Sequence, residues 1–394
     1  MRKLYVMTLL LMAGFVAAKA DDLSDILACV EANNTEIKAG LAAFVADSAA
    51  LAAVNNLEDP QVDFEYNFGG STGDKWGIGV SQSFDWPGLY SARGKAAGAR
   101  QEALYYTHLA RRAEVLLQAR LLCIGIVALN RLITASQAVY DNVDELYVHY
   151  SKAFEYGEVT VIDLNKIKIE RVNARQRLEE LKTQREETKN ELRGLNGNRD
   201  FGSIDLDALK DYPQEQLATI DQYKRAFETY DPQNASYASL ADALQSEISV
   251  ARMGWLPRFD IGYQYTYELG DNFNGVTAGV SIPIFSNRKK VAQARAQAVA
   301  SELSRIDYQA AREARICELF KRVVALRTQL QAYDEVTGDD SCFTLLRRAL
   351  DGGQISLLEY LLETQYFLEA RSNYLSLESQ YHTALAELNR YPLQ

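Results

Sequence analysis

The chain has 394 residues, of which 42 are lysine or arginine and 53 are aspartate or glutamate, so its formal net charge is -11. Residues 1–20 are predicted to be a cleavable signal peptide, because Arg2 and Lys3 precede an apolar run and Ala18-Lys19-Ala20 is typical of a cleavage site. Without this segment, 39 basic residues face 53 acidic ones, a net charge of -14. Such an acidic exported protein is not expected to bind nucleic acid, which requires a basic face.

The rest of the composition excludes several further classes. No later run of about 18 apolar residues predicts a membrane-spanning helix. Four cysteines are too few and too scattered for a disulfide scaffold or a zinc site, although two disulfide pairs stay open. They are Cys29, Cys123, Cys317 and Cys342. The sequence contains no phosphate-binding loop, nucleophile elbow or metalloprotease motif, so we expect no enzyme activity, no cofactor and no metal.

Four segments alternate between apolar and polar residues with a period of two, which predicts β-strands. In chain order they are residues 61–68, 76–84, 258–267 and 276–284. Turn residues at 69–74 and 270–272 separate the strands of each pair, so we expect β-hairpins at 61–85 and 258–285. One side of each strand is aromatic or aliphatic and the other is polar, as in an outer-membrane barrel. A soluble sheet packed on helices is the alternative. The side chains expected to face lipid are Phe64, Tyr66, Trp76, Phe259, Tyr263 and Tyr265.

Four strands are too few to close a barrel that substrates could pass, since even eight leave an interior just wide enough for side chains. Open strand edges are not tolerated in lipid. Several chains must therefore contribute strands, and three chains would supply twelve.

Two long stretches, 88–212 and 284–391, contain no proline and are rich in helix-forming residues. In each, apolar residues recur at alternating spacings of three and four, which indicates a coiled-coil seam. The seams run through Leu122, Ile126, Leu129 and Ile133, continuing to Phe154, and through Ile316, Leu319, Val323, Leu326, Leu330 and Tyr333. A helix from about 93 to 150 would be roughly 85 Å long, which a compact globule does not need.

The chain is predicted to be an internal duplication. Gly157-Glu-Val-Thr-Val-Ile-Asp163 matches Gly353-Gln-Ile-Ser-Leu-Leu-Glu359 at an offset of 196 residues. The predicted divisions are a signal peptide at 1–20, a first repeat at 21–195, an equatorial connector at 196–232 and a second repeat at 233–394. Each repeat is read as a helix, a β-hairpin, a long helix, a tip turn and a return helix, with the tip turns at 157–160 and 353–356.

Both tip turns have the same local chemistry. A glycine suits the left-handed position that ends one helix, a hydroxyl residue caps the next helix, and an acid follows at the capping-box position. These residues are Gly157, Thr160 and Asp163 in the first turn and Gly353, Ser356 and Glu359 in the second. Capping alone would explain both acids, so a purely structural role stays open.

The two Pro-led hairpins, the two long helices and the two matched turns together resemble the TolC family of outer-membrane efflux channels, over nearly the whole mature chain. The resemblance implies a mainly α fold with a small β part. It implies a homotrimer with a twelve-stranded barrel in outer-membrane lipid and an α-helical barrel in the periplasm. It also implies a passive exit duct that works with a periplasmic adaptor (membrane fusion) protein and an inner-membrane pump. The pump expected first is of the RND type. A periplasmic coiled-coil scaffold or adaptor that never enters the membrane is the alternative.

The resemblance assigns two roles to the tip turns. It implies that Asp163 and Glu359 form an acidic periplasmic gate, which would favour cations, although Leu362 followed by Glu363 replaces the family's second acid. It also implies that the turns dock onto the adaptor, with packing inside the turn as the alternative for the apolar members. The docking residues so implied are Gly157, Val159, Thr160, Val161, Gly353, Ile355, Ser356 and Leu357.

Overall fold

The computed structural model describes residues 22–68, 74–337 and 341–392. The predicted signal peptide and most of the expected turn at 69–74 lie outside these residues. The described elements are α1 (Asp22–Asn33), α2 (Thr35–Ala53), β1 (Gln61–Asn67), β2 (Lys75–Phe84), α3 (Pro87–Glu155), α4 (Val161–Leu195), α5 (Ile220–Tyr230), α6 (Pro232–Met253), β3 (Arg258–Glu268), β4 (Asp271–Ser281), α7 (Lys290–Thr337), α8 (Ser341–Asp351) and α9 (Leu357–Leu388).

Two long helical hairpins dominate the molecule, and the predicted mainly α fold class with two β-hairpins is confirmed. Helix α3 packs on α4, α7 packs on α9, and α3 also packs on α9, so the two hairpins lie side by side. Helix α3 has 69 residues, about 100 Å at 1.5 Å per residue. It begins at Pro87, earlier than expected, because the fixed φ of proline suits the first helical position.

The predicted seams are largely correct. Ile316, Leu319, Val323 and Leu326 are buried along α7, and Ile126 is buried along α3. Phe154 is exposed instead of buried, although the adjacent Ala153 in the same last turn of α3 is buried, so Phe154 lies on the outer side of that turn.

The four strands form one antiparallel sheet in the order β1-β2-β3-β4. Trp76 pairs with Tyr267 and Phe84 with Phe259, which joins the two hairpins. Strand β4 begins at Asp271, five residues earlier than expected, because the turn contains only Leu269 and Gly270 with φ of 57° and 92°. Two left-handed residues form the type I′ turn that matches the twist of a hairpin.

Residues 196–232, predicted as the connector between the repeats, contain several buried aromatic side chains. Phe201 packs against α1, α3 and α4, while Tyr212 packs between α3 and α9. Tyr223 and Phe227 of α5 pack on α7 and α9. The segment therefore supplies aromatic side chains to three clusters, and the cluster around Tyr212 joins α3 of the first repeat to α9 of the second. One of its charged residues, Asp231, is also buried.

Within the described residues, α3 is long and apolar enough to cross a membrane by length and composition, which the search for an uninterrupted apolar run did not predict. Its apolar middle is used in the helical core, since Val115, Cys123 and Ile126 contact α1 and α4 there. Cys29, Cys123 and Cys317 are free thiols, and among the described residues no cluster of three or more His, Cys, Asp or Glu side chains could hold a metal.

Candidate functional site

Both tip turns end their first helix in the same hydrogen-bond pattern. Gly157 has a φ of 74°, and its N–H donates to the Phe154 carbonyl at 3.0 Å, while the Glu158 N–H donates to the Ala153 carbonyl at 2.9 Å. This is the Schellman arrangement, which needs a left-handed residue at the position of the glycine. At Gly353, with φ of 66°, the same two bonds recur at 3.0 and 2.8 Å.

The second helix of each tip is capped by a hydroxyl group, but the two acids behave differently. Thr160 and Ser356 each accept a bond from the backbone N–H three residues on, at 3.2 Å. The Ser356 N–H also donates to the Glu359 carboxylate at 2.7 Å, which completes a capping box. The shorter Asp163 accepts from the Thr160 hydroxyl at 2.7 Å and pairs with Lys166 at 3.5 Å.

Both tip carboxyls are held in their charged form. Hydrogen bonding from the Thr160 side chain lowers the pKa of Asp163, and the Ser356 backbone N–H lowers the pKa of Glu359. Hydrogen bonds to a carboxylate favour ionisation. Each turn therefore presents a stable negative charge, and capping does not exclude an electrostatic role.

The apolar residues of the turns are divided between packing and exposure. Leu357 is only 8% exposed and contacts Leu146, Ile167 and Tyr360, so its expected place on a docking surface is wrong. Ile355 packs half-buried on the same cluster. Leu357 faces α3 and α4 of the other helical hairpin, whereas Val161, the equivalent first residue of α4, is exposed.

Three exposed apolar side chains at the tips were not among the predicted docking residues. Ile162, Leu358 and Leu362 are all exposed, together with Val161, which is 55% exposed. Ile162 and Leu358 occupy equivalent positions in the two repeats, a signal that the 196-residue offset already contained. These four residues are called the tip surface below.

The two helical hairpins are tied together just above the tips. The Asn142 side-chain amide of α3 hydrogen-bonds the Tyr360 hydroxyl of α9, and Arg347 of α8 donates to the Asn142 carbonyl oxygen at 3.5 Å. Burial raises the pKa of Tyr150, with the nearby Asp163 carboxylate acting in the same direction. The two tip turns are therefore parts of one connected site.

At the other end of the molecule, one face of the sheet carries the side chains expected to contact lipid. The register places Phe64 opposite Ile78 and Ile78 opposite Tyr265. Trp76 contacts Tyr265 with ring centroids 5.4 Å apart. All six residues expected to contact lipid lie on this face, namely Phe64, Tyr66, Trp76, Phe259, Tyr263 and Tyr265. Phe64 is 68% exposed, an unfavourable state in water for so large an apolar side chain.

The opposite face is polar and lined with glycines, which the sequence analysis did not use. A Cβ at Gly262 would lie 2.6 Å from the Thr277 hydroxyl and 2.9 Å from the Val80 carbonyl. Glycine inside a strand marks a close backbone approach or a tight bend. Asp63 and Glu65 project from this same face of β1. A strongly curved sheet with its polar face inside explains both features.

Comparison with known proteins agrees with this geometry. Residues 231–391 match the family model for outer membrane efflux proteins. The sequence matches no curated protein.

Solved structures extend the likeness over both repeats. The chain is similar to a membrane protein from Pseudomonas aeruginosa at 15% identity and a TM-score of 0.76, over 95% of this chain and 93% of that one. It is similar to VceC, an outer membrane protein from Vibrio cholerae, at 13% identity and a TM-score of 0.75, over 94% and 97%. It is also similar to the Campylobacter jejuni outer membrane channel CmeC at 17% identity and a TM-score of 0.73, over 94% and 85%.

These likenesses establish a common fold across the chain, and the family match places the second repeat within it. The second repeat therefore matches the outer membrane efflux protein family, and the whole chain shares its fold with these outer membrane proteins.

Proposed function

We propose that this chain is the outer-membrane exit duct of a tripartite export system, built as a homotrimer. The observation that carries the proposal is the sheet, whose aromatic face is exposed and whose outer strands β1 and β4 each pair on one side only. Lipid covers such a face but does not tolerate such edges. If β4 of one copy pairs with β1 of the next, three copies close a twelve-stranded barrel.

The helical hairpins suit a tunnel below this barrel. Both hairpins leave the same end of the sheet, and α3 extends about 100 Å from it. Members of this family are outer-membrane channels with a periplasmic helical part. We place α3, α4, α7, α8 and α9 in the periplasm, after export directed by residues 1–20 as a cleavable signal peptide. The first repeat, 21–195, and the second repeat, 233–394, would then form two equivalent segments of the tunnel. The connector at 196–232 would join them.

The partners follow from the family and from the tip surface. Family members work with a periplasmic adaptor and an inner-membrane pump. We propose that the tip surface, with the glycine turns beside it, docks onto an adaptor, and that an RND-type pump is the partner to test first. Exposed apolar residues in a polar rim are typical of such contacts.

Cell fractionation tests the proposed function against the periplasmic scaffold alternative. The exported chain should sediment with the outer membrane, require detergent for extraction, and run as an oligomer that heating converts to monomer. Release of the chain as a soluble monomer from the periplasm, without detergent, would contradict the duct.

The charged tips give a first prediction for such a duct. Asp163 and Glu359 would form rings of carboxylates around the threefold axis, so bilayer recordings should show a cation-preferring pore. Because the pKa of each carboxyl is lowered, the preference should persist as the pH falls into the ordinary carboxyl range near 4. Asp163→Asn with Glu359→Gln should move the permeability ratio toward unity.

The matched control for this prediction removes two exposed acids that lie away from the tips, Glu187→Gln with Asp211→Asn. The control should keep the wild-type permeability ratio. An unchanged ratio in the tip variant would leave the two acids with their capping role alone.

A further inference from the structure

A basic segment lies where the second hairpin of the sheet joins the helical part. Arg288 and Lys289 follow strand β4, and Lys290 is the first residue of α7. All three side chains are exposed, and within the described residues none makes an ion pair. These three adjacent positive charges contrast with the net charge of -11 of the whole chain.

The neighbouring cations at this end of the sheet are neutralised by acids. Arg258 pairs with Glu58 and, at 3.1 Å, with Asp85. Arg93 also pairs with Asp85, at 2.7 Å. The basic segment Arg288–Lys290 is therefore not part of this network, and its charge remains available to an external anion.

The position of the basic segment is unfavourable without such an anion. The N-terminus of a helix carries a partial positive charge, so cations there are repelled and anions are attracted. Helix α7 has no acid in its first turn. Lys289 also adopts a left-handed conformation with φ of 67°, which is uncommon for a residue with a Cβ and persists where the surroundings hold it.

The surroundings do hold it, through a buried anchor. Asn287 is buried and lies against Gly254, whose added Cβ would be 3.1 Å from the Asn287 amide. The Lys290 N–H donates to the Asn287 carbonyl at 3.3 Å. The basic segment is therefore fixed to the junction between α6 and β3 and does not extend freely into solvent.

An apolar segment precedes the basic one. Ile282, Ile284 and Phe285 are exposed, and Phe285 is exposed by 81%. Ile282 continues the even-numbered positions that carry Val276 and Val280 on the apolar face of β4. Apolar residues followed by unpaired cations are the arrangement found where a protein leaves the acyl chains and meets lipid headgroups.

We propose that Arg288, Lys289 and Lys290 bind the phosphate groups of anionic phospholipids at the periplasmic surface of the outer membrane, while the apolar segment lies among their acyl chains. The inference rests on the proposed function, since headgroups lie at this level only if the sheet crosses the membrane. The lipid phosphates supply the charge that α7 lacks in its first turn. Through α7, a lipid held there fixes the barrel against the tunnel.

The test measures lipid retention by the full trimer. Wild-type protein and the triple variant Arg288→Gln, Lys289→Gln, Lys290→Gln are placed in nanodiscs of mixed phosphatidylglycerol and phosphatidylcholine, and bound lipids are counted by native mass spectrometry. Each surface cation contributes about a fivefold preference for anionic lipid. We expect the triple variant to lose phosphatidylglycerol affinity by about a hundredfold, with phosphatidylcholine unaffected.

Three exposed cations on the helical hairpins provide the matched control, as Lys168→Gln, Arg175→Gln and Arg327→Gln. This variant removes the same charge and should retain lipid as the wild type does. Equal phosphatidylglycerol binding by all three proteins would overturn the proposal, as would complete displacement of the lipid by millimolar inorganic phosphate. Failure of the wild type to insert into nanodiscs would instead contradict the proposed function itself.

Discussion

Gly353→Pro is expected to abolish export while leaving the trimer in the outer membrane. Gly353 has a φ of 66°, and its N–H donates to the Leu350 carbonyl at 3.0 Å. Proline fixes φ near -65° and has no N–H, so the Schellman turn cannot form. The tip surface would lose its shape, whereas the sheet lies beside the first residue of α7, at the end of that helix away from the tip. Export by complemented cells and the amount of trimer in outer membranes are the two measurements.

Gly202→Pro is the matched control for this result. Gly202 is also left-handed, with φ of 67° and no atom within 4 Å of an added Cβ, but it lies in the connector between α4 and α5. The same backbone violation there should leave export much closer to normal. Normal export by Gly353→Pro would show that the tip is not the docking site, and loss of the trimer from the membrane would show that the turn is needed for folding.

Asp231→Ala is expected to cause the largest loss of stability, about 3–5 kcal/mol of unfolding free energy, because it removes the buried acid 3.9 Å from the Arg312 guanidinium. The Asp231 side chain is 2% exposed and caps α6 by accepting from the Asn234 N–H at 2.7 Å. It also accepts from the Tyr308 hydroxyl at 2.9 Å and from the Tyr391 hydroxyl. Burial, with the Asp231 carboxylate adding to it, raises the pKa of Tyr391 to about 12 and also raises the pKa of Tyr308, so both phenols stay protonated as donors.

Denaturant unfolding of the detergent-solubilised protein measures this effect. Asp231→Asn keeps a capping oxygen and should cost less than the alanine variant, because the helix cap alone contributes about 1 kcal/mol. Asp221→Ala removes an exposed acid from α5 and should change stability little. A loss of under 1 kcal/mol in Asp231→Ala would contradict the role of this buried network in linking α6, α7 and the C-terminal residues.

Much of the fold could be predicted because the regular spacing of apolar residues identifies one face of a helix or strand. The 3-4 spacing in α7 correctly located the buried Ile316, Leu319 and Val323. Period-two alternation correctly placed Phe64, Trp76 and the other aromatic residues on one face of the sheet. In each case, the period in the sequence equals the geometric period of the element, so the buried or exposed face follows directly.

The predictions failed where contacts between segments distant in sequence determine which side chains are buried. The connector is rich in polar residues, yet Phe201, Tyr212 and Tyr223 are buried by helices distant in sequence. Nothing in the local pattern identifies those neighbours. Leu357 was misplaced for the same reason, because the turn chemistry fixes where α9 begins but not which side meets the adjacent hairpin.

The candidate site was predictable in its backbone but not in its surface. Gly157 and Gly353 adopt the left-handed φ that the helix ends required, and the capping acids lie where the motif placed them. The exposure of Ile162, Leu358 and Leu362 depends on how the two hairpins pack, which periodicity alone does not specify. The difference between the two acids follows from one methylene group, since only Glu359 reaches back to the backbone N–H of its cap.

The central claim is that separate copies combine their hairpins around one axis to enclose a pore. Cryo-electron microscopy of the protein in nanodiscs tests it most directly. The account predicts a threefold particle with twelve strands in the bilayer and a helical tube projecting from one side. A particle made of one chain, with the aromatic face of its sheet packed on its own helices, would contradict it.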